Sequence, residues 1–208
     1  MDILTSFNEL MNKGGPVMWV IFFAAGIAII MLLERAIQIH KWLKLASIDQ
    51  QFAHDASVSD IQALENGLNL RSESPLRNIL HQVRWKEVHN EDDLTKQINT
   101  LLSELMPKLN GLLPTIAVIG TLLPMLGLLG TVTGMINVFE VIALHGTGDP
   151  QEMAHGISQA LLTTASGLVI AIPVIFAHHL LVQRLQVLLA TTEQSLLVVI
   201  NRVGMNRG

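Results

Sequence analysis

Apolar residues dominate three long stretches of the chain, and a charged, periodically patterned segment separates the first stretch from the second. Val17 to Leu33 contains no polar or charged side chain before Glu34-Arg35, and apolar spacing continues to Ile39. That length is close to the roughly 20 residues a helix needs to cross a bilayer. Leu112 to Ala143 is a second apolar stretch, longer than a crossing requires at about 1.5 Å per residue. Met153 to Val182 is the third, and helical spacing continues after it through Leu185, Leu188, Leu189, Leu196, Val199 and Ile200. Each stretch is too apolar and too long for a buried strand, so the pattern predicts three transmembrane helices.

The segments between them read as follows. Ile3, Leu4, Phe7, Leu10 and Met11 share one helical face, which predicts a short amphipathic helix in residues 1–15, at the membrane interface. Gly14-Gly15-Pro16 breaks it, with Pro16 suited to the first turn of the next helix. The first span is then 16–39. Residues 40–111 form a helical soluble domain, on patterns such as Ile61/Leu64/Glu65/Leu68 and Leu94/Ile98/Leu101/Leu102/Leu105, with Ser74-Pro75 as a break. The second span is 112–144, with Pro107 and Pro114 marking its start. A turn at 145–152 carries Gly146-Thr147-Gly148-Asp149-Pro150. The third span is 153–183, and a C-terminal helix occupies 184–208. The fold class expected is all-α, a polytopic membrane protein whose long helices extend into a helical cytoplasmic domain.

Charge sets the orientation. Twelve of the 13 Lys and Arg residues lie between 34 and 108 or beyond 183, and none lies between Lys108 and Arg184. By the positive-inside rule the soluble domain and C-terminus are cytoplasmic, and the N-terminus and the 145–152 turn face outward. The acidic residues Asp2 and Glu9 outnumber Lys13 before the first span, and no small-residue cleavage pattern follows it, so the span reads as a retained anchor. Only 14% of residues are charged, against about a quarter in soluble proteins.

Composition also narrows the chemistry. Without cysteine there is no disulfide framework, no thiolate nucleophile and no cysteine-held metal. The eight His residues show no metal-ligand spacing, and the dinucleotide, P-loop, nucleophile-elbow and zinc-protease motifs are all missing. A net charge of −4 with no basic patch argues against nucleic-acid binding. No enzyme, metal or cofactor is expected.

The spans hold no charged residue in their central parts. Glu140 falls near the outer end of the second, and Glu34 and Arg35 at the inner end of the first. Because an intramembrane charge is costly and usually functional, any carboxylate that handles an ion must come from a partner helix. What the spans carry instead is small and polar residues in stripes. Gly127, Thr131 and Gly134 recur at helical spacing in the second span. Gly156, Gln159, Ala160, Thr163, Thr164, Gly167 and Ala171 do so in the third. Such stripes let membrane helices approach closely and hydrogen-bond across the gap. They are equally the pattern of plain packing seams, and a Thr hydroxyl can bond its own helix. Pro124 and Pro173 interrupt two spans, as kinks met by neighbouring helices or as flexible points in gating. His178-His179 fit interfacial anchoring.

At these residues the chain resembles a known family. Leu126-Gly-Leu-Leu-Gly-Thr-Val-Thr-Gly-Met135, Gly156-Ile-Ser-Gln-Ala-Leu-Leu-Thr-Thr-Ala165 and Gly167-Leu-Val-Ile-Ala-Ile-Pro173 resemble the signature of the MotA/TolQ/ExbB proton-channel family. Gly14-Gly-Pro-Val-Met-Trp19 and Leu33-Glu-Arg35 are similar to its ExbB branch in particular.

The resemblance implies a ring, typically a homopentamer, in the bacterial inner membrane. The ring would surround an ExbD/TolR-type single-span partner bearing an intramembrane Asp, and ion flow would drive a TonB-like protein. It further implies that Thr131 and Thr164 face that Asp. Gln159 stands where well-known ExbB proteins have Glu, and the Thr163-Thr164 pair is similar to that of sodium-driven flagellar stators. The ion, H⁺ or Na⁺, is therefore left open. A TolQ-like role in envelope maintenance and a non-conducting scaffold are the alternatives.

Overall fold

The structure, a computed structural model, describes residues 3–55, 74–84, 91–146 and 150–207. Among these residues every regular element is helical. They are α1 (Ile3–Asp55), α2 (Pro75–Gln82), α3 (Glu91–Asn110), α4 (Leu113–His145) and α5 (Pro150–Arg207). Three of them, α1, α4 and α5, are long and apolar enough to cross a membrane, over Asn8–Gln50, Leu113–Leu144 and Pro150–Val198. The protein is an all-α membrane protein.

Local chemistry accounts for most of the helix ends. Gly15 adopts φ 68, ψ −165 inside α1, so the helix kinks there, and Pro16 begins the straight apolar part. A β-carbon disfavours that backbone region, which glycine enters freely. Helix α2 begins at Pro75, directly after Ser74, where a missing N–H costs nothing. Gly111, with φ +44, separates α3 from α4. Gly146, with φ 66, closes α4, and its N–H donates to the Ile142 carbonyl. Pro107, Pro124 and Pro173 lie inside α3, α4 and α5 respectively. Each withdraws the donor that the carbonyl four residues earlier would otherwise have received.

The chain clusters into two compact units, Met1–Leu33 with Leu112–His179, and Glu34–Gly111 with Leu180–Gly208. The first unit is built from the apolar spans. Its buried positions on α1 include Met11, Gly14, Met18, Ile21, Ala25 and Ala28. On α4 they run Ile116, Gly120, Leu123, Gly127, Gly130, Gly134 and Val138, and on α5 Gly156, Ala160, Thr163, Gly167, Ala171 and Val174. Both runs are made of steps of three and four, the spacing of one helix face. Their outer faces are no more polar than their inner ones. Phe23 is 72% exposed and Val169 70%, with Ile30, Leu161, Ile172 and Phe176 similarly bare. Large apolar side chains left outside on several helices belong in lipid or against other helices rather than in water.

The second unit has an ordinary amphipathic interior. Leu94, Ile98, Leu105 and Leu109 of α3 are buried, as are Leu76, Ile79 and Leu80 of α2. The Ser74 hydroxyl, fully buried, donates to the Asp49 carboxylate, and the Arg84 amide donates to the Gln97 side chain at 3.0 Å. Buried Thr192 and Ser195 spend their hydroxyls on the Leu188 and Thr191 carbonyls of their own helix, at 2.8 and 2.9 Å. The Ile61-to-Leu68 pattern, Trp85 and the centre of the 145–152 turn lie outside the described residues. So do the side chains of Ile3, Leu4 and Phe7.

Candidate functional site

Helices α4 and α5 meet along the small-residue stripes, and they meet backbone to backbone. A β-carbon added at Gly127 would lie 3.0 Å from the Thr164 Cα and 3.1 Å from the Thr163 carbonyl oxygen. One at Gly134 would lie 2.8 Å from the Gly156 carbonyl oxygen, and one at Gly167 2.8 Å from that of Leu123. Contacts this short leave no room for a side chain, so glycine at these positions is a condition of the approach. Gly120 is the looser end of the seam, with Ile175 and Val174 opposite it.

Within this seam the two adjacent threonines of α5 behave differently. Thr163 is fully buried and faces Gly130, where a β-carbon would overlap its side chain. Its hydroxyl donates within its own helix, shared between the Gln159 and Ala160 carbonyls at 3.1 and 2.9 Å. Thr164 is half-buried and reaches across, donating to the Gly127 carbonyl at 3.0 Å. That bond joins residues 37 apart in sequence and fastens α5 to α4. The seam therefore brings Thr164, Gly127 and Gly167 together, with Thr163 beneath Gly130 one helix face away.

Thr131 stands at the margin of the seam, partly exposed, and donates to the Leu128 carbonyl of its own helix at 2.7 Å. Gln159 is buried with 7% exposure, and its side-chain amide lies against Gly15, where a β-carbon would overlap it. The amide thus packs on the α1 kink. Pro124 is half-buried and Pro173 exposed, one in each helix of the pair.

Several of these pairings had no signal in spacing alone. Gly15 reads as a chain break, and nothing in its neighbourhood points to a residue 144 positions later. Thr133, half-buried and donating to the Gly130 carbonyl at 3.0 Å, also belongs to this region. Its position in the motif string is the one clue the sequence offers.

The electrostatics are plain. Among the described residues the central parts of the three spans hold hydroxyls, the side-chain amides of Asn137 and Gln159, and backbone carbonyls, and no Asp, Glu, Lys or Arg. Such groups can bond a carboxyl group or ligate a cation, but they cannot themselves carry a proton through a change of charge. Among those residues, too, no three His, Asp or Glu side chains gather into a set able to hold a metal.

The family described as the MotA/TolQ/ExbB proton channel family matches residues 67–194, a stretch holding the whole glycine and threonine seam. The biopolymer transport protein exbB1 of Vibrio cholerae serotype O1 is 28% identical over 184 residues, covering 86% of this chain and 80% of that protein.

Proposed function

The chain belongs to the MotA/TolQ/ExbB proton channel family, and we propose that it is the ExbB-like, ion-conducting stator subunit of an inner-membrane motor. The observation that carries this reading is a pair of spans joined by the Thr164 hydroxyl and a row of glycines, with no ionisable side chain in their central parts. A conducting helix pair of this kind needs a carboxylate from elsewhere. The partner is an ExbD/TolR-type single-span protein whose intramembrane Asp carries the ion. Several copies of this chain, in a ring of five, surround that helix and present Thr131 and Thr164 to it.

The chemistry of each step follows from the groups available. A carboxylate in a low-dielectric site holds its charge only when donors surround it. Threonine hydroxyls supply such donors without adding charge of their own. When the carboxylate is neutralised by an ion, the demand for donors falls, and Thr164 can return to the Gly127 carbonyl it holds in the free chain. Alternation between these two acceptors couples the state of the Asp to the α4–α5 seam. Pro124 and Pro173 lie in the same two helices, where a freed carbonyl lets the backbone bend. The work is passed to a TonB-like protein and used for transport at the outer membrane, in keeping with the biopolymer transport role in the relative's name. The N-terminus is periplasmic and the C-terminus cytoplasmic.

A second reading, a scaffold that passes no ion, is favoured by one observation. Both Thr163 and Thr164 spend their hydroxyls within a single protomer. Co-reconstitution with the single-span partner separates the two. The motor reading expects cation flux into proteoliposomes that requires the partner's Asp. No flux above protein-free vesicles, with partner and ring both present, would leave the scaffold.

A further inference from the structure

The second unit holds a groove that the motor reading does not use. It has a volume of about 500 Å³ and runs between the end of α2 and one face of α3. That face supplies Lys96, Gln97, Thr100, Leu101 and Glu104, which recur at helical spacing. Gln82 and Arg84, at the end of α2 and just past it, form the other wall. The Arg84 amide donates to the Gln97 side chain at 3.0 Å and fastens one wall to the other. The volume falls within the range of roughly 300–1,000 Å³ found for small-ligand pockets, but those are mostly apolar and enclosed. Here Gln82, Arg84, Lys96, Thr100 and Glu104 are all exposed, so the groove is polar and open to water.

The bonds already made along the groove decide what each group has left to offer. Gln97 Oε1 accepts from the Arg84 amide, which leaves Nε2 as a donor. Gln82 Nε2 donates to the carbonyl and the side chain of Asn78, which leaves Oε1 as an acceptor. The Thr100 hydroxyl donates to the Lys96 carbonyl at 3.0 Å, so its oxygen is left to accept. A phosphate or sulfate brings acceptors alone and would leave Gln82, Thr100 and Glu104 without a role. A peptide unit brings one N–H and one C=O, and so answers the donor and the acceptors together.

We propose that this groove binds an extended peptide segment of a protein partner, with an acidic side chain at the Lys96 and Arg84 end and a basic one at Glu104. A backbone carbonyl of the segment accepts from Gln97, and its N–H groups donate to Gln82 and Thr100. The spacing of the charges follows from the helix. Lys96 and Glu104 are eight residues apart in α3, about 12 Å along the axis at 1.5 Å per residue. An extended chain advances about 3.3 Å per residue. The acidic and basic residues of the segment therefore stand four apart, which places them on the same side of it. The groove uses no residue of the threonine seam and stands whether or not the protein conducts ions.

The test is fluorescence anisotropy of a labelled, end-capped peptide, Asp-Ala-Gly-Ala-Lys, titrated with the purified full chain in neutral detergent at low salt. Two control peptides accompany it. Asn-Ala-Gly-Ala-Gln removes both charges, and Asp-Ala-Gly-Lys-Ala moves them to opposite sides of the extended chain. The wild type should bind the first peptide about fivefold tighter than either control, the scale of an exposed ion pair. Lys96→Glu should lose that preference and favour Lys-Ala-Gly-Ala-Lys instead, while Glu104→Lys should favour Asp-Ala-Gly-Ala-Asp. Both positions are exposed, so neither change threatens folding. No difference among the three peptides on the wild type up to about 1 mM, whether all bind or none does, would overturn the proposal. So would a preference that both variants leave unchanged. Displacement of the peptide by an equal concentration of inorganic phosphate would also overturn it, and would assign the groove to small anions.

Discussion

Adding one methyl group at Gly167 tests whether the α4–α5 seam holds the spans together. In Gly167→Ala the new carbon would sit 2.8 Å from the Leu123 carbonyl oxygen, 3.2 Å from the Gly127 Cα and 3.3 Å from the Gly127 nitrogen. All three are backbone atoms, so no side chain can swing away. Ordinary contact begins near 3.4 Å, which leaves the helices about 0.6 Å too close. A gap of that size elsewhere in the seam forfeits a quarter to a half of the dispersion energy of the contacts it opens. Overpacking of this kind typically costs about 1–3 kcal/mol.

Gly26→Ala is the matched control, because nothing lies within 4 Å of its added carbon. Both glycines are inside helices, so alanine's better helix propensity, about 1 kcal/mol, enters both variants alike and cancels in the comparison. The difference between them should therefore be about 1–3 kcal/mol, or roughly 5- to 150-fold in the unfolding equilibrium. The assay is reversible unfolding in mixed micelles, with circular dichroism following helix content. Coincident unfolding curves for the two variants, or a Gly167→Ala protein more stable than Gly26→Ala, would refute the close-packed seam.

Three further outcomes are expected. Thr164→Val keeps the shape but removes the bond that α5 donates to the Gly127 carbonyl; stability should fall by only about 0.5–1.5 kcal/mol. Ring assembly should survive while partner-dependent uptake nearly disappears, and Thr131→Val should weaken uptake less; full activity of Thr164→Val would end its assigned role. Gly15→Ala forces a β-carbon into a left-handed conformation and into the Gln159 amide, so protease cleavage around residue 15 should increase. Adding Gln159→Ala should recover only part of the loss, because the backbone strain remains; complete recovery would show that contact with Gln159 was the whole effect. Thr163→Ala should be mild and insensitive to Na⁺ at fixed pH, because the lost hydroxyl served only two carbonyls of its own helix. Impairment at low Na⁺ that rises to normal at high Na⁺ would instead make Thr163 a sodium ligand.

Much of this architecture is legible in the one-dimensional pattern. An uninterrupted apolar run such as Val17 to Leu33 has only one stable form in lipid, a helix, since every backbone polar group must be satisfied inside the segment. The lack of mid-span charge is likewise a property of composition, and so is the presence of glycine and threonine stripes. The glycines at 15 and 146, each beside other turn residues, also announce breaks, because the residue type itself permits the left-handed backbone found there; the break at Gly111 carried no such signal.

What the sequence could not decide is which face of each span turns inward. A water-soluble helix such as α3 declares its buried side, because Leu94, Ile98 and Leu105 stand against charged residues. Helix α4 is apolar on every side, so hydrophobicity carries no direction, and only steric fit selects the face that packs. That fit separates Thr163, held under Gly130, from Thr164, bonded to Gly127, although the two are neighbours in the chain. It also brings Gln159 against Gly15 and Arg35 against Gly111. These last two pairs join residues 144 and 76 positions apart, and no local pattern specifies them. They exist because small residues allow two backbones to come close enough for a distant side chain to fill the space a β-carbon would have taken.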